Sequence, residues 1–158
     1  MKIENSFTLT GTPKIWLHYN DGTKVLHFEE RNLITLSAKQ VLLSGLYLPG
    51  VVSDPITKLW VGTGGTIDPL GQFPKPLPVN PSNLFEPLLS VDTGYTVDNA
   101  MPSVTYIADI DSGSAVGKLI TEAGLFKASG LMFNIKTFPG IPKTSEFSIH
   151  FEWTIEMT

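Results

Sequence analysis

The chain has 158 residues, enough for one domain of ordinary size whose core needs no covalent staple. It contains no cysteine, which excludes disulfides, thiol nucleophiles, thiolate zinc sites and iron–sulfur clusters. A net charge of −4 gives no basic footprint for nucleic acid, and a charged fraction of 16% fits either surface that ends up against other protein or a β protein with short polar turns.

No stretch approaches the roughly 20 apolar residues of a membrane helix, so no membrane insertion is expected. Glu4 stands where a signal peptide would begin its apolar core, which predicts a protein made and kept in the cytoplasm.

In chain order, Lys14–Tyr19 alternates and meets Asn20-Asp21-Gly22, residues that tolerate positive φ. Lys24–Glu29 returns, so Lys14–Glu29 reads as a β-hairpin. Over Leu36–Tyr47, Ala38, Val41, Leu42 and Leu46 form a helical stripe, with Ser37 and Gln40 as a capping box and Pro49-Gly50 as the stop. Thr57–Val61 is a short strand running into Gly62-Thr63-Gly64-Gly65. From Pro69 to Pro87, six prolines remove ladder donors and predict a long irregular arm within the single domain 1–158. Its Phe73, Pro74, Pro76, Leu77, Pro78, Pro81, Leu84 and Phe85 are the expected assembly contacts, laid on a neighbouring subunit, with a loop packed on its own domain as the alternative.

The second half is strand-rich. Val104–Ile110 places Val104, Tyr106, Ala108 and Ile110 on one face. Lys118–Phe126 and Leu131–Phe138 form a hairpin about Ser129-Gly130, and Pro139-Gly140-Ile141-Pro142 turns the chain into Ser145–Met157. In that last segment Phe147, Ile149, Phe151, Trp153, Ile155 and Met157 share one side, six matches to a period of two. The pattern predicts a mainly β fold: an antiparallel β-sandwich with one short α-helix and a long proline-rich arm.

Motifs for chemistry are weak. Gly62–Gly65 lacks the Lys-Ser/Thr pair and following helix of a phosphate loop. His18 and His27 sit on paired strands and fall near one another, but they lack a third ligand, so no metal and no cofactor is expected. Glu152 and Glu156 lie about 13 Å apart along one strand, too far for a glycosidase pair. Glu122, inside the apolar run Ile120–Phe126, is best explained as an acceptor for backbone N–H groups of a neighbouring loop. Trp153 and Trp60 are expected in the core, with Trp16 the exposed aromatic.

Two sets of residues carry a family resemblance. Asn32-Leu33-Ile34-Thr35 before a helix, then Leu59-Trp60-Val61-Gly62-Thr63-Gly64, resembles the first half of small tailed-bacteriophage virion proteins. The second half is similar to the same family through Glu122-Ala123-Gly124-Leu125-Phe126, through Lys136–Thr144 with its Pro139-Gly140-Ile141-Pro142-Lys143, and through Phe151-Glu152-Trp153-Thr154-Ile155. Glu122, Gly124, Phe126, Lys143 and Trp153 are the motif residues to which the resemblance gives a structural role. The departure is the Pro69–Pro87 arm, where the family carries a shorter acidic or Ala-rich loop.

The resemblance implies a non-enzymatic structural protein of the phage virion, assembled in the host cytoplasm. Its expected place is the tail, baseplate or fibre-attachment assembly, with a capsid-decorating (cement) or neck role as the alternative. Its partners would be other virion proteins and itself, as a homo-oligomer with a trimer among the options, and no nucleic acid. The rival of another class is a carbohydrate-binding adhesion module with a host glycan as ligand, for which Trp16 is the platform.

Overall fold

A computed structural model describes residues 8–44 and 54–158. Among the described residues, ten strands form two antiparallel five-stranded sheets that pack face to face. Strands β1 (Leu9–Tyr19), β2 (Lys24–Glu29), β6 (Gly94–Asp98), β7 (Ser103–Ile110) and β10 (Phe147–Met157) make sheet A, in the order β2-β1-β10-β7-β6. Strands β3 (Leu33–Ile34), β4 (Ile56–Gly62), β5 (Pro87–Asp92), β8 (Leu119–Lys127) and β9 (Met132–Pro142) make sheet B, in the order β3-β9-β8-β4-β5. The expected sandwich is the fold of the chain.

Between the sheets, Ile15, Leu17, Leu59, Val61, Ile110, Ile120, Leu125, Phe138, Ile149, Phe151 and Trp153 form the main core. The alternation in β10 is its direct imprint: Phe147 to Ile155 bury every second side chain, while Ser148 to Glu156 face outward and are half-buried. The strand begins at Phe147, two residues later than its pattern indicates. It is central in sheet A, paired with β1 along its whole length and with β7 on the other side.

The β1–β2 hairpin forms as expected, with Gly22 at φ +90° and the Thr23 N–H donating to Asp21 Oδ1 at 2.8 Å. Strand β1 is longer than the alternating stretch and starts at Leu9. Helix α1 (Leu36–Ser44) follows β3, and its cap is not Ser37. Thr35 Oγ1 accepts the Ala38 N–H at 3.2 Å and itself donates to the Met132 carbonyl at 2.9 Å, so one hydroxyl caps the helix and ties it to β9. Leu46, Tyr47 and the Pro49-Gly50 stop lie outside the described residues, as does Glu4.

The Pro139–Pro142 segment is not a turn. It continues β9, pairing Pro142 with Leu119 and Ile141 with Ile120, and the turn into β10 begins at Lys143. Proline is tolerated there because the segment runs at the end of the ladder. Strands β5 and β6 carry no alternating pattern and were not expected. They form one extended run that changes sheets at Thr93, whose N–H donates to the Thr57 carbonyl at 3.1 Å.

The proline-rich segment does not project as a free arm. It leaves β4 after Gly62, crosses the outer face of sheet B and returns as β5. On that face Leu84 is buried against Phe126, Met132 and Ile135, with Trp60 and Leu77 half-buried around them. This makes a second, smaller core, and it explains why β8 and β9 are buried on both faces. Trp60 belongs to this outer layer and not to the main core, its ring tilted against Phe126 at 6.2 Å.

Candidate functional site

Register brings the two motif segments together. Sheet pairing sets Gly62 of β4 opposite Glu122 of β8, and Trp60 opposite Gly124. Glu122 faces outward beneath the proline-rich loop and is fully buried there. Its Oε1 accepts the N–H groups of Gly64 at 3.1 Å and Glu86 at 2.8 Å, and its Oε2 accepts that of Phe85 at 2.8 Å. Gly64 lies where the loop leaves the sheet; Phe85 and Glu86 lie where it returns. One carboxylate therefore closes both ends of the excursion, with charge-assisted bonds to amides that would otherwise be buried unpaired.

The glycines make this contact possible. A Cβ at Gly62 would overlap the Glu122 carboxylate and the Glu86 carbonyl, and one at Gly65 would overlap the Thr121 carbonyl. One at Gly64 would come within 2.7 Å of Phe85 Cβ. Gly65 also donates to Thr121 Oγ1 at 2.9 Å, beside the Glu122 bonds. Gly124 plays the matching part on β8, because a Cβ there would meet the Asn134 carbonyl at 2.7 Å and Leu84 at 3.3 Å. Gly62-Thr63-Gly64-Gly65 is thus a close-approach loop around a buried carboxylate, and all three of Glu122's described partners are backbone amides of its own chain.

The expected assembly residues divide into two groups. Pro81 and Leu84 are buried within the chain's own fold, a correction to their place among assembly contacts, and Leu77 and Phe85 are half-buried there. Phe85 also lies under the Lys75 ammonium at 4.1 Å. Phe73, Pro74, Pro76 and Pro78 are exposed. Around Phe73 the loop is held in one shape: Ile67 N–H donates to the Phe73 carbonyl at 3.0 Å, and Phe73 N–H to Asp68 Oδ1 at 2.8 Å. Its foot is fixed to β9 through Gly140 N–H to the Gly71 carbonyl and Thr137 Oγ1 to the Lys75 carbonyl. The result is a tethered tip on which Ile67, Leu70 and Phe73 are 61–73% exposed. Ile67, Leu70 and the exposed Val79 escape sequence reasoning because single apolar residues among prolines show no period.

Lys143 is a second node. It is buried, and its ammonium donates to the carbonyls of Ser112 at 3.0 Å and Thr144 at 2.7 Å, over the Phe147 ring. Burial holds its pKa below the usual lysine value, opposed by Asp111. It clamps the β7–β8 loop to the turn before β10. Trp153 is fully buried in the main core, and Phe126 in the outer one.

The histidines arrange differently from expectation. His27 lies at a bulge of β2, with its Nε2 2.8 Å from the Pro139 carbonyl, and away from His18. His18 instead stacks on His150 across β1 and β10 at 4.8 Å. His150 is bracketed by Asp109 at 2.7 Å and Glu152 at 3.3 Å. Burial first, then His150 and Lys24, lower the His18 pKa, while Asp109 and Glu152 oppose the shift. Among the described residues, no group of three or more His, Cys, Asp or Glu side chains is placed to hold a metal ion. Trp16 stands half-buried on the same outer face of sheet A, opposite His150.

No protein-family model, curated protein or solved structure matches this chain.

Proposed function

We propose that this protein is a non-enzymatic structural subunit of a tailed-bacteriophage virion, placed in the tail, baseplate or fibre-attachment assembly. The observation that carries the reading is the tethered apolar tip of Ile67, Leu70 and Phe73. Its backbone is fixed by Asp68 and by β9, yet its side chains are left in water. A loop that is rigid and apolar offers a docking surface with little ordering entropy left to lose. The family resemblance supports the same reading, because its two separate motif segments meet at Glu122. Burial of the Glu122 carboxylate under three backbone N–H donors also weighs against its use as a catalytic acid.

A capsid-decorating or neck position is the alternative within this class. For the glycan-binding rival, the supporting observation is Trp16, partly open on the outer face of sheet A.

The test is a chain carrying Leu70→Ser and Phe73→Ser, supplied in place of the native chain during phage assembly. Exposed substitutions change stability by about 0.5 kcal/mol or less each, so the chain should fold normally. It should be missing or strongly depleted from purified particles. Normal incorporation would overturn the assembly role of the tip. Glycan-array binding abolished by Trp16→Ala would move the assignment to the rival.

A further inference from the structure

We infer that β6 is a homodimer contact, in which two copies pair edge to edge about a two-fold axis at Thr96 and extend sheet A into a continuous ten-stranded sheet. This names one contact within the assembly proposed above and rests on that reading.

Four strands lie at sheet edges among the described residues, and three carry features that discourage pairing. Strand β2 has a bulge and charged Lys24 and Glu29 at its ends. Strand β3 is two residues long. Strand β5 opens on Pro87 and pairs irregularly there. Strand β6 has no bulge, proline or lysine and runs in unbroken register with β7 from Gly94 to Asp98, its one charge being the terminal Asp98. All five of its residues are exposed.

Thr96 is the middle residue of the five. An antiparallel two-fold at that residue sets Tyr95 against Val97 of the second copy, Gly94 against Asp98, and Thr96 against itself. Tyr95 and Val97 point to the inner side of sheet A, opposite Tyr106 and Val104, yet are 68% and 54% exposed. Pairing would cover all four such side chains as two aromatic–β-branched cross-strand pairs. On the outer side, register lines up Thr12, Thr154, Thr105 and Thr96 in one row, with Thr105 and Thr154 hydroxyls 2.9 Å apart. That row stops at the edge, and the two-fold continues it into its own copy. No like charges face each other, because each Asp98 meets a glycine.

The absence of cysteine makes the test direct. Thr96→Cys brings two thiols together at the axis, whereas in Asp98→Cys they lie about 13 Å apart, beyond disulfide reach. Under mild oxidation Thr96→Cys should form a covalent dimer about ten-fold faster than Asp98→Cys. Light scattering should give a dimer for the native chain and a monomer, with unchanged circular dichroism, for Val97→Lys. A monomeric native chain, or equal cross-linking at the two positions, would overturn the contact. If Val97→Lys is monomeric but enters particles normally, the contact has no part in assembly. If the native chain is absent from particles, it is the assembly reading that fails.

Discussion

Glu122→Gln exchanges one oxygen for a nitrogen at the point where the proline-rich loop is closed. The best placement keeps the amide oxygen at the Oε1 position, where it still accepts from Gly64 and Glu86. The NH2 then points at the Phe85 N–H, donor against donor. A buried amide left without a partner costs about 1–3 kcal/mol, and the two surviving bonds each lose roughly 1 kcal/mol of charge assistance. Relief from burying a charge offsets part of this, leaving a net loss of about 2–4 kcal/mol. At about 2–4 °C per kcal/mol for a chain of this size, the melting temperature should fall by about 5–15 °C. Thermal unfolding followed by near-ultraviolet circular dichroism reads the global effect. Amide exchange should show lost protection at Gly64, Phe85 and Glu86. A melting temperature within about 1 °C of the native chain, with those three amides still protected, would refute the reasoning that one carboxylate closes the loop.

The same structure sets three further expectations. Gly62→Ala forces a Cβ against both the Glu122 carboxylate and the Glu86 carbonyl, so it should cost about 2–3 kcal/mol by urea denaturation; a neutral result would show that the loop does not close on the sheet. Leu84→Ala should cost about 2–4 kcal/mol and open residues 69–87 to limited proteolysis, as a core residue does and a free arm would not. The third concerns pH. The folded pKa of His18 lies below its ordinary value of about 6.5, so between the two the unfolded chain binds more protons. Stability therefore rises with pH through that window and is lost on acidification from about pH 6.5 downward. His18→Gln should flatten this slope; an unchanged slope would remove His18 as its source.

How much of this was legible in the sequence depended on which faces are solvated. Strand β10 is central in sheet A with one face outward, so its side chains alternate and it reads at once. Strands β8 and β9 lie between the main core and the proline-rich loop, so nearly every residue is buried. A period of two cannot appear when both faces are apolar, and at the end of β9 Pro139-Gly140-Ile141-Pro142 puts turn residues into a strand. Strand β6 fails for the opposite reason: with every residue exposed, Gly94 and Asp98 look like loop. The helix cap falls at Thr35, two residues before Ser37, because Thr35 also bonds across to β9, a tertiary contact that local spacing does not reveal.

The site shows where the limit falls. A carboxylate inside an apolar strand must be satisfied, and backbone amides of a loop were the simplest partners, so the role of Glu122 followed from its own neighbourhood. Which loop supplied them did not follow, because Gly62–Gly65 and Phe85–Glu86 come next to Glu122 only through the β4–β8 register. Once that register is known, the two motifs explain each other. The glycines exist to let two stretches of backbone approach one carboxylate, and the carboxylate is buried because those stretches need an acceptor. Each half depends on the other: the glycine loop without Glu122 leaves three amides without their acceptor, and Glu122 owes its burial on the outer face of sheet B to the loop. The cost of that mutual dependence is offset by what the closure holds in place. With both ends of the excursion fixed on sheet B, the tip at Ile67, Leu70 and Phe73 can stay apolar and exposed without collapsing onto its own core.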